Sequence, residues 1–68
     1  MNLRIRDLRE DHDLTQSQVA KILGCTQQTY SRYENGEITI DINSLIKLAD
    51  FYNTSLDFLV GRNFKEEN

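Results

Sequence analysis

The sequence predicts an all-α fold, a compact bundle of five short helices, on three observations. Its 68 residues include no proline and only three glycines (Gly24, Gly36 and Gly61), which favours short, sharply ended helices over a turn-rich β fold. Thr15, Thr26, Asp41 and Ser55 each stand just before a run with apolar side chains at helical spacing. The single stretch that alternates polar and apolar residues, 37–42, has no second strand to pair with and is expected to be an extended connector.

The first helix is expected over residues 3–12, with Leu3, Ile5 and Leu8 on its apolar side and charged residues elsewhere. Asp13 follows where a left-handed residue would end it, a conformation that Asp tolerates better than most. Thr15 is a good N-cap for the second helix, with Gln18 three residues on as its capping-box partner. That helix buries Val19, Ala20 and Leu23, and Gly24 stops it. Thr26 caps a third helix over residues 27–34, which Asn35 and Gly36 close. Asp41 caps the fourth, 42–52, whose core side carries Leu45, Leu48, Ala49 and Tyr52. Ser55 caps a fifth, 56–60, ended by Gly61. Residues 1–61 thus read as one domain and 62–68 as a short polar C-terminal tail.

Composition narrows the function classes. A single cysteine, Cys25, rules out an internal disulfide framework and fits a reducing compartment. No apolar run approaches the roughly 20 residues of a membrane span, and the opening residues lack the long apolar segment of a signal peptide. A cytoplasmic location without membrane contact is expected. No second histidine, cysteine pair or glycine-rich phosphate loop accompanies His12 or Cys25, so no catalytic residue, metal ligand or cofactor is assigned. His12 reads as a solvated residue and Cys25 as a small buried hydrophobe.

Charge sets a constraint of its own. Eight basic against eleven acidic residues give a net charge of −3, whereas nucleic-acid binders are usually basic. Residues 1–36 balance five basic against five acidic residues, and residues 37–68 hold three against six. The whole deficit lies in the C-terminal half. Double-stranded DNA remains an admissible partner if that half faces away from it, with low non-specific affinity.

The third helix carries the chemistry. At about 100° per residue, Tyr30 and Tyr33 fall about 60° apart on one side, with Gln28 and Arg32 about 40° apart on the other. The tyrosines are expected to point inward and Gln28 with Arg32 outward. Gln27 sits at the N-terminal end, the end that a recognition helix presents to the major groove. A glutamine amide donates and accepts together, matching N6 and N7 of adenine, and arginine bridges O6 and N7 of guanine. The methyl of Thr26 or Thr29 suits a thymine methyl. The free amides at the start of the second helix, beside Gln16, form an anion site. Asn35 and the amides after Asp41 are further phosphate candidates.

These residues resemble the Cro/repressor (XRE-type) helix-turn-helix family of bacterial and phage transcription regulators. The resemblance runs through Leu8-Arg9, Leu14-Thr15-Gln16, Val19-Ala20, Leu23-Gly24, Ser31-Arg32-Tyr33-Glu34-Asn35-Gly36, Leu45, Leu48-Ala49 and the stretch 55–61. It implies a lambda-repressor-like DNA-binding domain. It also implies base contacts from Thr26, Gln27, Gln28, Ser31 and Arg32, and phosphate contacts from Gln16, Ser17 and Asn35. Gln16 would in addition brace the first residue of the third helix, and Arg9 would form a structural ion pair with Glu34. The run Thr26-Gln27-Gln28 is similar to the base-reading tip of a phage repressor. The connector departs from the family, which often places lysine, arginine and proline there; here Glu37 and Asp41 are acidic.

The expected function is a sequence-specific repressor acting as a homodimer on an operator, with Phe58, Leu59 and Phe64 as dimer contacts. Its rivals are an antitoxin or a protein-interaction module on the same fold. Either would take a protein partner through the acidic C-terminal half, with Ile38 and Ile40 exposed.

Overall fold

A computed structural model of the chain describes residues 3–60. It holds five helices in order: α1 (Ile5–Asp11), α2 (Gln16–Leu23), α3 (Gln27–Asn35), α4 (Ile42–Tyr52) and α5 (Leu56–Leu59). The described residues contain no strand, and 37–42 is a connector.

Four of the five helices start on a side-chain cap. Thr15 accepts from the Gln18 amide while the Gln18 side chain accepts from the Thr15 amide, completing the capping box. Thr26, Asp41 and Ser55 accept from the amides of Thr29, Ser44 and Phe58. A recurring stop closes α1 to α4. A residue in the left-handed region (Asp13, Gly24, Gly36 or Asn53) is followed by an amide that reaches back to a carbonyl five residues earlier. At Gly24 a Cβ would meet nothing within 4 Å, so its φ of +76° and not crowding calls for glycine. Asn53 fills the same role at φ 55° and is a stop that the sequence reading leaves out.

Helix ends differ from expectation by one or two residues. α1 begins at Ile5 instead of Leu3, with Arg4 as its N-cap outside the helical region, and the Arg4 amide donates to the Leu59 carbonyl at 2.7 Å, joining the start of the bundle to α5. At its other end His12 has left the helical region. α3 includes Asn35, and α5 ends at Leu59 with Val60 as its cap. Gly61 and the tail 62–68 lie outside the described residues.

The core is one cluster drawn from all five helices. Tyr30, Val19, Leu48 and Leu59 are fully enclosed, Ile5 nearly so, and Leu3, Leu8, Leu14, Cys25 and Tyr33 pack on its margin. Each large side chain so buried stabilises by about 1.5–3 kcal/mol. Two expectations fail here. Ile40 is 6% exposed and belongs to the core cluster, not the surface, because the bends at Glu37 and Ile38 break the alternation and turn Ile40 inward while Ile38 and Ile42 stay exposed. Leu59 is taken up within its own protomer's core and has no surface left for a dimer contact.

Candidate nucleic-acid interface

α2 packs against α3 and α4, holding α3 so that its inward side is fixed and its outward side is bare. Tyr30 is fully buried and Tyr33 half-buried, their rings edge to face with centroids 6.5 Å apart. On the outward side Gln27, Gln28 and Arg32 are exposed. Thr26 is exposed at the helix start and Ser31 half-buried at its edge. The five residues expected to meet bases therefore share the bare side and N-terminal end of one helix. Of the three expected at phosphates, Ser17 and Asn35 are exposed and Gln16 is half-buried.

Prior commitments limit what each can offer. The Thr26 hydroxyl accepts from the Thr29 amide and donates to the Thr29 hydroxyl, so it has no hydrogen left to donate to a base and offers its methyl and one lone pair. The Arg32 guanidinium lies 4.0 Å from the Glu37 carboxylate, with both side chains well exposed; such a pair holds its partners weakly. Gln28 makes no side-chain hydrogen bond to any described residue.

Gln27 is tied to α2. Its Nε2 donates to Gln16 Oε1 at a long 3.5 Å, and its Oε1 accepts from the Ser17 hydroxyl at 3.3 Å. Gln16 in turn donates from Nε2 to Glu34 Oε1 at 3.1 Å. Glu34 also receives the Arg9 guanidinium at two points, while Arg9 Nη1 donates to the Leu14 carbonyl. The Gln16–Glu34 and Ser17–Gln27 bonds are missed by the sequence reading. No spacing rule pairs an amide in one helix with a carboxylate eighteen positions on.

Electrostatics follow from these contacts. Burial pushes the Glu34 carboxyl up, but the hydrogen bonds from Arg9, with the neighbouring Tyr30 hydroxyl and then Gln16 behind them, outweigh it and hold the group below the usual range. The same bond, ahead of the opposing cost of burial, holds Arg9 more firmly protonated. Asp41 is held low by the Ser44 hydroxyl and amide. Burial raises the Cys25 thiol, which suits an inert packing residue, and pushes the Tyr52 phenol up to about 12. Among the described residues, no three His, Cys, Asp or Glu side chains converge where a metal ion could sit. No described helix is long and apolar enough to cross a membrane.

Residues 5–59 match the helix-turn-helix family. The cryptic phage CTXphi transcriptional repressor RstR of Vibrio cholerae is 40% identical over 57 residues, covering 84% of this chain and 51% of the repressor. Antitoxin PezA of Streptococcus pneumoniae is 37% identical over 57 residues, 84% of this chain and 36% of the antitoxin. The chain thus spans between about a third and a half of the length of these two relatives. Among solved structures, the P22 c2 repressor protein in complex with a synthetic operator superposes with a TM-score of 0.78 at 25% identity, covering 88% of this chain and 91% of the repressor chain.

Proposed function

This chain belongs to the helix-turn-helix family, and from that premise we propose that it is a sequence-specific DNA-binding transcription regulator, a repressor, reading the major groove with α3 as a homodimer. One observation carries the reading: Gln28 and Arg32 stand exposed on the side of α3 opposite the buried Tyr30. A helix enters the groove only with a side free of its own protein, and this side bears the groups that pair with base edges. Gln28, with Gln27 at the helix tip, suits N6 and N7 of adenine, and Arg32 suits O6 and N7 of guanine. Thr26 and Ser31 flank them with a methyl and a hydroxyl. Gln16, through its second N–H, Ser17, through its backbone amide in the open first turn of α2, and Asn35 hold phosphates and set register without reading sequence. The likeness to a repressor solved on its operator supports this docking.

Two protomers related by a two-fold axis would present their recognition helices about 34–36 Å apart, one DNA turn. Phe58, 45% exposed beneath the Arg4 guanidinium, is the contact offered by α5. Phe64, expected beside it, lies outside the described residues. Occupying a promoter would exclude polymerase; the activity is binding, without a cofactor, and a DNA partner implies a cytoplasmic location.

A second reading, an antitoxin or protein-interaction module, is favoured by Ile42 and Ile46 on α4, exposed at 58% and 43%, and by the likeness to PezA. Selecting duplexes from random DNA with the full-length chain, at stated salt, separates the two. Enrichment of a two-fold symmetric site with half-sites one turn apart supports the regulator. Enrichment of nothing supports the interaction module.

A further inference from the structure

The chain of side chains from α1 to the tip of α3 has a direction. Gln16, Gln27 and Ser17 each donate and accept, so their run of hydrogen bonds could form in either sense. With the two amides reversed, Gln16 Nε2 would face Gln27 Oε1 and Gln27 Nε2 would face the Ser17 oxygen, with no loss in number. Glu34 alone cannot reverse. An ionised carboxylate only accepts, and this one has its side chain 1% exposed and is clamped by Arg9 at 2.7 Å and 3.2 Å.

Gln16 must therefore turn its NH2 toward Glu34, as it does at 3.1 Å. That leaves Gln16 Oε1 facing outward, which draws the NH2 of Gln27 and leaves Gln27 Oε1 to the Ser17 hydroxyl. After these bonds Gln27 retains one N–H and one oxygen lone pair, each on a fixed side. Adenine needs that pair in one order, N6 on the oxygen and N7 on the nitrogen.

We propose that Glu34, acting through Gln16, fixes which edge of the Gln27 amide donates and which accepts, and so is a positioning residue for base readout from inside the protein. This rests on the DNA-reading function above and deepens it. The base preference of the exposed tip is set by a carboxylate that no base can touch, and Arg9 keeps that carboxylate ionised and still.

The experiment uses the full-length chain and duplexes selected by it. Gln27→Ala first identifies the base pair that Gln27 reads, as the one where discrimination is lost. Wild type should prefer adenine there by about tenfold or more, as expected of a bidentate amide. In Glu34→Gln the buried amide can donate or accept, both orders become accessible, and the preference at that base pair should fall to about threefold or less. Preferences at the base pairs read by Gln28 and Arg32 should stay as they are. Because Glu34→Gln also weakens the hold on Arg9, Gln16→Met is measured beside it. That variant cuts the relay while keeping the Arg9–Glu34 pair, and should lower affinity everywhere but reduce the ratio only at the Gln27 base pair. Preference kept at that pair in both variants, or lost equally at every pair, overturns the relay. A wild-type chain that discriminates at no base pair overturns the parent reading as well.

Discussion

The Arg9 guanidinium grips the Glu34 carboxylate at two points, Nε to Oε2 at 2.7 Å and Nη2 to Oε1 at 3.2 Å, joining α1 to α3. The side chains are 13% and 1% exposed, so water does little to weaken the pair or to replace either partner. Removing one side strands a charge. Glu34→Ala is therefore expected to cost about 3–5 kcal/mol. At about 4–8 °C per kcal/mol for a domain this small, the thermal midpoint should drop by more than about 12 °C. A melt superimposable on wild type would show that the pair carries no such weight.

That carboxylate also sets the acid limit. Its folded-state acidity lies below the ordinary 4.5. The stability it contributes is thus fully present above the unfolded value and is lost as pH falls through the folded one. Asp41, held low by Ser44, acts in the same direction from 3.8 downward. The thermal midpoint should begin to fall as pH drops below about 4.5. In Glu34→Gln, already less stable, the acid slope should be shallower. Equal slopes in the two proteins would assign acid sensitivity elsewhere.

The outward side of α3 gives a prediction about selectivity. Arg32→Ala and Gln28→Ala remove groups that are exposed and support nothing in the core. Their melting should match wild type, while operator discrimination at one base pair each should drop by about 1–3 kcal/mol. Competition binding with single-base operator variants reads this directly. Unchanged selectivity in both would mean that another surface meets the DNA.

Much of this architecture is legible in the sequence because it is written in local rules. Caps at Thr15, Thr26, Asp41 and Ser55, stops at Asp13, Gly24 and Gly36, and the opposed sides of α3 all follow from residues within one or two turns of each other. Legibility ends where the argument needs tertiary placement. Alternation over 37–42 could not reveal that a bend would bury Ile40, and apolarity alone could not assign Leu59 to the core over an interface. The Gln16–Glu34 bond is of the same kind, since it depends on how α2 lies across α3. Whether Thr26 serves backbone or base was likewise open, because Thr suits both roles.

Thr26 now permits those two roles to be separated by paired substitutions. Its hydroxyl caps α3 at 3.1 Å and is also bonded to Thr29, leaving the γ-methyl outward at an exposed position. Thr26→Ala removes the cap and should cost about 0.5–2 kcal/mol of stability. Thr26→Ser keeps a capping hydroxyl and loses only the methyl, so its melting should stay close to wild type. If the methyl packs on thymine, the serine variant should nonetheless lose preference for thymine over cytosine at one position, since those bases differ there by the C5-methyl and by an acceptor against a donor. A serine variant that melts and discriminates like wild type would confine Thr26 to capping and leave base reading to Gln27, Gln28, Ser31 and Arg32.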